Sequence, residues 1–316
     1  MKGCPLGERP LIIIFSVLCT LYSVLNLCGC QSQQLYKDTH IMMGTQVEVI
    51  SPDKRAANIA FTQIKMIEEL LSKYNPDSEI SRLNKSGELK VSPETFYIIK
   101  KAKDFWQISQ GAFDITVGPL MDLWGFTDKK YYLPKVGEIK KALGCVGSEK
   151  IILNDSDNMV KFTVPGMKLD LGAIAKGFAV GCAINKLKKE GIKSCLINAG
   201  GQIYCLGDRF GQPWNVAVKN PRGKGYLGYL KLKDRAVATS GDYEQYFFKG
   251  NKRYSHILNP KTGYPVDSGV ISVTVIAPDS LTADALATSI FVLGKVKGEK
   301  LAQKFPDVKV KIIEKQ

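Results

Sequence analysis

The second half of the chain consists of short apolar segments separated by a few turn-forming residues. Between residues 194 and 278 these segments read "SCLINAGGQIYCLG", "WNVAVKN", "GYLGYLKLK", "AVATSG", "RYSHILN" and "VISVTVIAP". Segments of this length and composition are typical of strands. Strands joined by short turns pair in antiparallel fashion, since a parallel pair needs a long crossover. The sequence therefore predicts an α+β fold, with mostly antiparallel sheets and helices packed against them.

Apolar residues at helical spacing predict the helices that cover this sheet. One long helix is expected from about Asp53, a second from the capping pair Ser92–Pro93, and a third ending at Gly191. The apolar repeats of the first and third are Ala60, Ile64, Ile67, Leu71 and Tyr74, and Gly177, Val180, Ile184 and Leu187. "GTQVEVI" is expected as the first strand, and "YNPDSEISRLN" as a proline turn. No strand precedes a G-x-G-x-x-G helix, which argues against a dinucleotide-binding Rossmann fold.

The first thirty residues have the pattern of an export signal. Lys2 and Arg9 flank a polar start, and an uncharged run follows from Leu11 to Cys30. The end of this run, "LCGC", resembles a lipobox, in which Cys30 receives the lipid. We therefore expect a lipoprotein signal peptide at 1–29, a tether at 30–38 and the folded body at 39–316. The alternative is an uncleaved anchor helix, because the run approaches the length that spans a bilayer. Both interpretations predict an exported protein held at a membrane, facing the periplasm or the cell exterior.

Charge and cysteine content exclude some function classes. The chain has 316 residues and a formal charge of +14, but no basic block interleaved with aromatic residues, so nucleic-acid binding is not expected. The positive charge suits an anionic membrane surface, an anionic ligand or a solvated surface. Beyond residue 30, four cysteines lack the close pairing of a zinc site: Cys145, Cys182, Cys195 and Cys205. Across a hairpin, Cys195 and Cys205 are either a disulfide or a pair of buried thiols.

The last helix, "LTADALATSIFVLG", carries a carboxylate and a hydroxyl one turn apart. Asp284 and Thr288 are four residues apart and therefore lie on one helix face. Hard oxygen ligands of this kind suit Mg²⁺. The alternative is a first-turn aspartate and a threonine bonded back to its own helix.

A second candidate is "LDLGAIAKGFA", where Asp170 is expected to follow a strand and to precede a helix. The first turn of that helix is almost free of side chains and carries Lys176, which suits a phosphate group at a helix N-terminus. The alternative is a helix packed tightly against a sheet. His256 follows a predicted strand and precedes a turn, a position suited to acid–base chemistry. Asp114, in "FDITVGPL", is either a site residue or part of a helix-to-strand corner.

Six motifs in a fixed order carry a family resemblance. They are Met43-Gly44-Thr45, "FDITVGPL", "DLGAIAKG", "NAGG", "SHILNPKTGYP" and "TADALATS". From about Thr39 to the last strand, the chain closely resembles the ApbE family of FAD:protein FMN transferases. The resemblance implies a single α+β catalytic body of the T-fold-related, ApbE-like type.

The resemblance also implies a set of site residues. The side chains of Asp284 and Thr288 and the backbone carbonyl of Ala173 would bind Mg²⁺. The implied FAD contacts are Met43, Tyr74, Ala112, Phe113, Asp114, Asp170, Lys176 and the backbone of Leu258. The chain departs from many relatives at Gln202, at Asn259 and, relative to some, at Lys176, which leaves the details of flavin contact open.

The implied reaction is Mg²⁺-dependent transfer of FMN from FAD to a Thr or Ser hydroxyl of an acceptor flavoprotein, with release of AMP. Relatives modify subunits of membrane redox complexes, so the expected partners are FAD, such a subunit and the membrane. We expect His256 and Asp284 to be catalytic, with His256 easing deprotonation of the incoming hydroxyl. The alternatives are a Mg²⁺-dependent FAD pyrophosphatase, with Tyr74 placed to influence the choice, and a non-catalytic flavin-binding lipoprotein.

Overall fold

A seven-stranded sheet forms the centre of the protein. The structure, a computed structural model, describes residues 33–315. The strand order is β1-β2-β6-β7-β10-β13-β14, and every neighbouring pair is antiparallel. The predicted α+β fold with antiparallel sheets is therefore confirmed. The predicted signal peptide and Cys30 lie outside the described residues. Residues from Leu35 onward form one compact unit, in which no helix is long and apolar enough to cross a bilayer.

The strands of this central sheet are β1 (Tyr36–Met42), β2 (Thr45–Ser51), β6 (Cys195–Ala199), β7 (Gln202–Leu206), β10 (Arg235–Gly241), β13 (Val270–Ala277) and β14 (Lys309–Glu314). Smaller sheets contain β3 (Glu88–Lys90), β4 (Ile151–Asn154) and β5 (Met159–Phe162), the pair β8 (Trp214–Lys219) and β9 (Tyr226–Leu232), and the pair β11 (Tyr246–Lys249) and β12 (Lys252–Ser255). The α-helices are α1 (Ala56–Leu71), α2 (Glu79–Ser86), α3 (Pro93–Ile108), α4 (Gly118–Leu123), α5 (Val136–Leu143), α6 (Ala175–Lys189), α7 (Ser280–Leu293) and α8 (Lys295–Ala302).

The two faces of the central sheet are covered differently. Helices α1, α6 and α7 bury their apolar faces together with Val47, Ile197 and Val273 in the main core. The hairpin β8–β9 covers part of the other face, where Trp214 and Leu232 pack with strand residues that include Leu196 and Val237. A third, aromatic cluster surrounds Trp124 and Phe126 beside the hairpin β11–β12. The central strands are therefore buried on both sides, which specifies their pairing register.

Several local predictions were confirmed and others were wrong. Helix α3 begins at Pro93, and the Ser92 hydroxyl caps it by accepting the N–H of Thr95. Helix α1 ends at Leu71, so Tyr74 does not belong to it. The strand β1 precedes the expected first strand and includes the last three residues of the expected tether. It was missed because its side chains are mostly exposed and show no simple alternation.

Two further differences concern a helix and the cysteines. Helix α2 occupies much of the expected proline turn, because Ser78 caps it by accepting the N–H of Ser81. Cys195 and Cys205 are free thiols. In the β6–β7 register Cys195 lies opposite Leu206 and Cys205 opposite Leu196. The two cysteines therefore point to opposite faces of the sheet, where no disulfide can join them.

Candidate active site

Helices α6 and α7 meet at a contact between Gly177 and Asp284. The Asp284 carboxylate is buried, and its Oδ2 accepts the backbone N–H of Gly177 at 2.8 Å. A Cβ at position 177 would lie 2.4 Å from the carbonyl oxygen of Ser280 and 2.7 Å from Asp284 Cβ. Glycine is therefore required for the two helices to approach closely enough for this hydrogen bond.

The same contact leaves the carbonyl of Ala173 free. In a helix, the N–H of Gly177 would donate to the carbonyl four residues earlier, which is that of Ala173. Here this N–H donates to Asp284 instead. Within residues 33–315, no N–H or hydroxyl donates to the Ala173 oxygen. The turn at 172–174 therefore offers a backbone oxygen beside a buried carboxylate.

Thr288 lies one turn after Asp284 on α7. Its Oγ1 is 3.2 Å from the hydroxyl of Ser240 on β10. The next residue, Ser289, does bond back to its helix, with its hydroxyl donating to Ala285 at 2.6 Å. Thr288 instead faces the sheet, so the alternative of a threonine bonded back to its own helix does not apply to it.

These oxygens fit a hard divalent cation. Asp284 Oδ1 accepts no hydrogen bond from the part of the chain that the structure describes. Burial raises the pKa of Asp284, while the charge of Lys176 and the N–H of Gly177 oppose that rise. A carboxylate, a hydroxyl and a carbonyl are typical ligands of Mg²⁺. No group of three His, Cys, Asp or Glu side chains suited to a metal occurs in the described residues, so water or substrate oxygens would complete the shell.

Asp170 lies in a charged cluster next to this cation site. Its Oδ2 is 2.7 Å from Lys73 Nζ, and its Oδ1 accepts the N–H of Gly172 at 2.8 Å. Burial lowers the pKa of Lys73, but the charge and hydrogen bond of Asp170 outweigh this effect, so the pKa is raised. The residues before Asp170 form an irregular segment, so the expected strand is wrong. This segment is held in place because the N–H of Asp170 donates to Ile115 at 2.7 Å.

His256 directly follows β12, as predicted. Its Nδ1 lies 3.0 Å from the backbone oxygen of Gln245. A carbonyl only accepts hydrogen bonds, so Nδ1 carries the proton and Nε2 has a free lone pair. Burial, assisted by the charge of Lys176, lowers the pKa of His256 to about 4. The imidazole is therefore neutral at pH 7 and can accept a proton at Nε2.

Lys176 connects these groups electrostatically. Its Nζ donates to the carbonyl of Gly172 at 3.2 Å, at the start of α6. Its positive charge lowers the pKa of both Asp284 and His256, while the charge of Asp170 raises that of His256. Lys176, Asp170, Asp284 and His256 thus share one site, and its positive end suits an anionic ligand.

Two hairpin tips lie side by side at the same end of the central sheet. The β1–β2 turn consists of Met43 and Gly44, with φ of 51° and 69°. Met43 is held in this left-handed conformation by its N–H, which donates to Glu68 at 2.6 Å. In the β6–β7 turn, a Cβ on Gly200 would lie 2.3 Å from the hydroxyl of Thr45. The two tips pack together because position 200 has no side chain.

Comparison with known proteins identifies the family of the chain. The model of the ApbE family matches residues 43–312. The chain belongs to the ApbE family. Its relatives include the FAD:protein FMN transferase of Klebsiella pneumoniae, which is 34% identical over 272 residues that cover 84% of each chain.

Solved structures of ApbE proteins share the fold. The ApbE protein of Thermotoga maritima is 35% identical with a TM-score of 0.82, over 90% of this chain and 97% of that one. The flavin transferase ApbE of Vibrio cholerae is 30% identical with a TM-score of 0.80, over 90% of this chain and 94% of that one. The predicted ApbE-like architecture is confirmed.

The remaining flavin contacts expected of an ApbE protein lie in different environments. Ala112 and Phe113 are buried after α3, next to the segment that holds Asp170. Tyr74 is 68% exposed, directly after Lys73. Leu258 is buried and forms an isolated bridge with Pro265.

The Asp114 carboxylate is occupied by protein donors. Its oxygens accept hydrogen bonds from the backbone N–H and hydroxyl of both Thr116 and Ser148. Asp114 is followed by a 3₁₀ turn and α4, so the helix-to-strand corner is wrong. Its side chain therefore ties two loops together.

Two polar residues of the site, Lys73 and Ser240, were not predicted from the sequence, and Gln202 was noted only as a departure from relatives. Lys73 pairs with Asp170, Ser240 contacts Thr288, and the Gln202 amide donates to the Ser280 carbonyl at 3.0 Å. Each partner is far away in sequence, so no local pattern indicates the pair. The only local signal was at Gln202, which follows the Gly-Gly tip.

Proposed function

We propose that this protein is an FAD:protein FMN transferase, which moves FMN from FAD to a Thr or Ser hydroxyl of an acceptor protein and releases AMP. Relatives that carry this name match more than four fifths of the chain. The proposal rests mainly on the N–H of Gly177, which donates to Asp284 rather than to the Ala173 carbonyl. It orients Asp284 and, by the same hydrogen bond, frees the Ala173 carbonyl beside it.

Asp284 Oδ1, the Thr288 hydroxyl and the Ala173 carbonyl would hold Mg²⁺. Held by these residues, a divalent cation would supply positive charge next to the FAD diphosphate, the kind of charge neutralisation on which phosphoryl transfer depends. Lys176 and the N-terminal turn of α6 would bind further diphosphate oxygens, since both are positive and the turn carries only small side chains.

His256 supplies the proton acceptor. The hydroxyl oxygen of the acceptor attacks the FMN phosphorus, the bond to the AMP oxygen breaks, and the hydroxyl proton passes to Nε2 of His256. Its Nδ1–H stays bonded to Gln245, which keeps the ring oriented. A neutral imidazole is the form that this step requires, and the lowered pKa maintains it.

We place the enzyme outside the cytoplasm, as a lipoprotein attached through Cys30. The support is the pattern of the first thirty residues: two flanking cations, an uncharged run and "LCGC". The acceptor is then expected to be an exported domain of a membrane redox complex. Mass spectrometry of the mature N-terminus would test this, because a lipid on Cys30 requires cleavage after Gly29.

The reaction itself is tested with purified protein, FAD, Mg²⁺ and a co-purified candidate acceptor. Covalent transfer gives flavin fluorescence on the denatured acceptor band, together with AMP. The Asp284→Ala variant is expected to lose this fluorescence, whereas Asp307→Ala, which removes an exposed carboxylate, retains it. Full activity of Asp284→Ala would contradict the proposal.

The same assay separates the alternatives. The exposed Tyr74 ring beside the Lys73–Asp170 pair leaves this side of the site open to water, which favours a slow FAD pyrophosphatase activity when no acceptor is present. Free FMN and AMP without a labelled acceptor would indicate hydrolysis. Intact FAD after incubation with Mg²⁺ would indicate a flavin carrier.

A further inference from the structure

The hairpin β8–β9 spans the central sheet from one end to the other. At the end away from the active site, the Trp214 indole donates to the backbone oxygen of Leu206, the last residue of β7, at 3.3 Å. The strand β8 then runs towards the opposite end, where β7 begins beside the Gly200–Gly201 tip. The hairpin loop at 220–225 therefore lies at the end of the sheet where the active site is found.

An ion pair holds this loop next to the cation site. The Arg222 guanidinium makes two hydrogen bonds to the buried Asp242 carboxylate, one of them at 2.8 Å. Asp242 follows β10 and is two residues from Ser240, the residue that contacts Thr288. Lys219 lies over the Tyr243 ring at 5.5 Å from its centroid. Both contacts place the hairpin loop beside the entrance to the site.

The outer surface of the hairpin is aromatic and exposed. Tyr226 and Tyr229 are 64% and 68% exposed, and their ring centroids are 6.1 Å apart. Leu227 between them is 42% exposed. A shift of the β8–β9 register after Val218 brings the two tyrosines next to each other. Neighbouring exposed tyrosines are typical of protein interfaces rather than of an isolated surface.

The hairpin also carries only positive charge. Residues 213–233 contain Lys219, Arg222, Lys224, Lys231 and Lys233 and no Asp or Glu. Arg222 and Lys233 have acidic partners, but Lys219, Lys224 and Lys231 form no ion pair with the rest of the described chain. An aromatic surface with three uncompensated cations is complementary to an acidic protein surface.

We propose that this hairpin (residues 213–233) is the docking surface for the acceptor protein, and that the acceptor presents acidic residues next to the hydroxyl that receives FMN. This inference rests on the proposed function. A protein partner is favoured because the hairpin loop is pinned beside the active site, where an acceptor must bind for its hydroxyl to reach the phosphorus. Docking there raises the local concentration of the hydroxyl without any contact to FAD.

The test uses full-length protein expressed in its own cells in place of the wild type. Membrane proteins are separated on denaturing gels, and covalent flavin fluorescence is measured on every band. The variants are Lys224→Glu with Lys231→Glu, and Tyr226→Ala with Tyr229→Ala. The matched control is Lys297→Glu with Lys300→Glu at two exposed positions of α8, which changes the net charge equally. FAD affinity and Mg²⁺-dependent FAD cleavage without acceptor are measured on the purified proteins.

We expect flavin labelling to fall at least tenfold in both hairpin variants, with FAD affinity within about twofold of the wild type and no change in the control. Undiminished labelling would overturn the inference. So would a parallel loss of FAD affinity, which would assign the hairpin to the flavin, or a parallel loss of binding to vesicles of anionic lipid, which would assign it to the membrane. If the wild type labels no protein at all, the proposed function fails instead.

Discussion

The backbone N–H of Gly177 is 2.8 Å from Oδ2 of Asp284, and this hydrogen bond joins the two helices that carry the cation ligands. A methyl group at position 177 would overlap the Ser280 carbonyl. We therefore expect Gly177→Ala to separate α6 from α7, to lower the free energy of unfolding by about 1–3 kcal/mol, and to abolish Mg²⁺-dependent turnover. Urea unfolding and the FMN-transfer assay measure the two effects.

Gly181 provides the control for that substitution, because it lies on the same helix. A Cβ at Gly181 would have no atom within 4 Å. Gly181→Ala should therefore stabilise the helix by up to about 1 kcal/mol and leave turnover unchanged. If Gly177→Ala and Gly181→Ala had the same stability and the same turnover, the close approach of α6 and α7 would not be required for activity.

Asp284→Asn should have opposite effects on stability with and without Mg²⁺. Burial raises the pKa of Asp284, so the folded protein holds this proton more firmly than the unfolded chain. The group therefore lowers the stability of the metal-free fold at any pH above the ordinary pKa of an unfolded aspartate. Asparagine removes that charge and can still accept the N–H of Gly177. In EDTA we expect the variant to have the higher Tm.

With Mg²⁺ present, the wild type should have a higher Tm than Asp284→Asn. At a Mg²⁺ concentration 100 times the Kd, a single site stabilises the wild type by about 2.7 kcal/mol, and the variant should gain almost nothing. Thermal unfolding of both proteins in EDTA and in Mg²⁺ gives the comparison. A similar Mg²⁺ effect on both would place the cation elsewhere.

Much of the fold was predictable because it depends on local patterns. Short apolar segments with turns between them predict antiparallel pairing, and the apolar repeat ending near Leu187 predicts α6. The register between strands is a different kind of information. The separation of Cys195 and Cys205 onto opposite faces follows from a pairing offset of one residue, which the sequence of the hairpin alone does not reveal.

The site residues likewise include some that a local pattern predicts and some that it does not. Asp284 and Thr288 share a helix face because the helical period brings residues four apart together. The contacts that tune them join residues distant in sequence: Gly177 to Asp284, and Ser240 to Thr288. Such pairs depend on how the helices pack on the sheet, so no pattern along the chain specifies them.

Gln202 is expected to position α7. Its amide N–H donates to the Ser280 carbonyl in the first turn of that helix, while its own oxygen has no partner in the described structure. Gln202→Leu loses a hydrogen bond, which destabilises the protein, but it also removes a buried oxygen that has no partner, which stabilises it. The free energy of unfolding should therefore change by about 1 kcal/mol or less. The Mg²⁺ concentration for half-maximal stabilisation should rise by about tenfold, as for other residues that orient metal ligands.

Ser194→Ala is the control for Gln202→Leu. Ser194 also donates a side-chain hydrogen bond to a backbone carbonyl, that of Asp208, but at the opposite end of the sheet. It should leave the Mg²⁺ dependence unchanged. A Gln202→Leu protein with wild-type Mg²⁺ dependence would contradict the positioning role.

His256 should make the metal-free protein less stable in acid. Its pKa is about 4 in the folded state against 6.5 for an ordinary histidine. The unfolded chain therefore binds the proton first, and stability is lost as the pH falls from 6.5 towards 4, by about 3 kcal/mol in total. His256→Gln should not show this loss of stability, because glutamine does not titrate. The raised pKa values of Asp114 and Asp284 act in the opposite direction but are common to both proteins.

The quantity to measure is the difference in unfolding free energy between wild type and His256→Gln, in EDTA, from pH 4 to 7.5. The unfolding free energy of the wild type should rise relative to that of the variant as the pH increases from 4 to 6.5. Above pH 6.5 the difference should stay constant. A difference independent of pH would mean that the folded imidazole is not held neutral.

Lys73 and Asp170 should behave as a coupled buried pair. Their side chains are only 15% and 10% exposed, and the Nζ–Oδ2 distance is 2.7 Å. Lys73→Met leaves the carboxylate without its cation, and we expect a loss of about 3 kcal/mol. Adding Asp170→Asn should restore part of this loss, because the uncompensated charge is removed.

Lys65→Met is the control. It breaks the exposed pair with Glu69 and should cost less than about 0.5 kcal/mol. Urea unfolding of the double-mutant cycle gives the coupling energy, and strictly additive effects would show that the two charges do not stabilise each other.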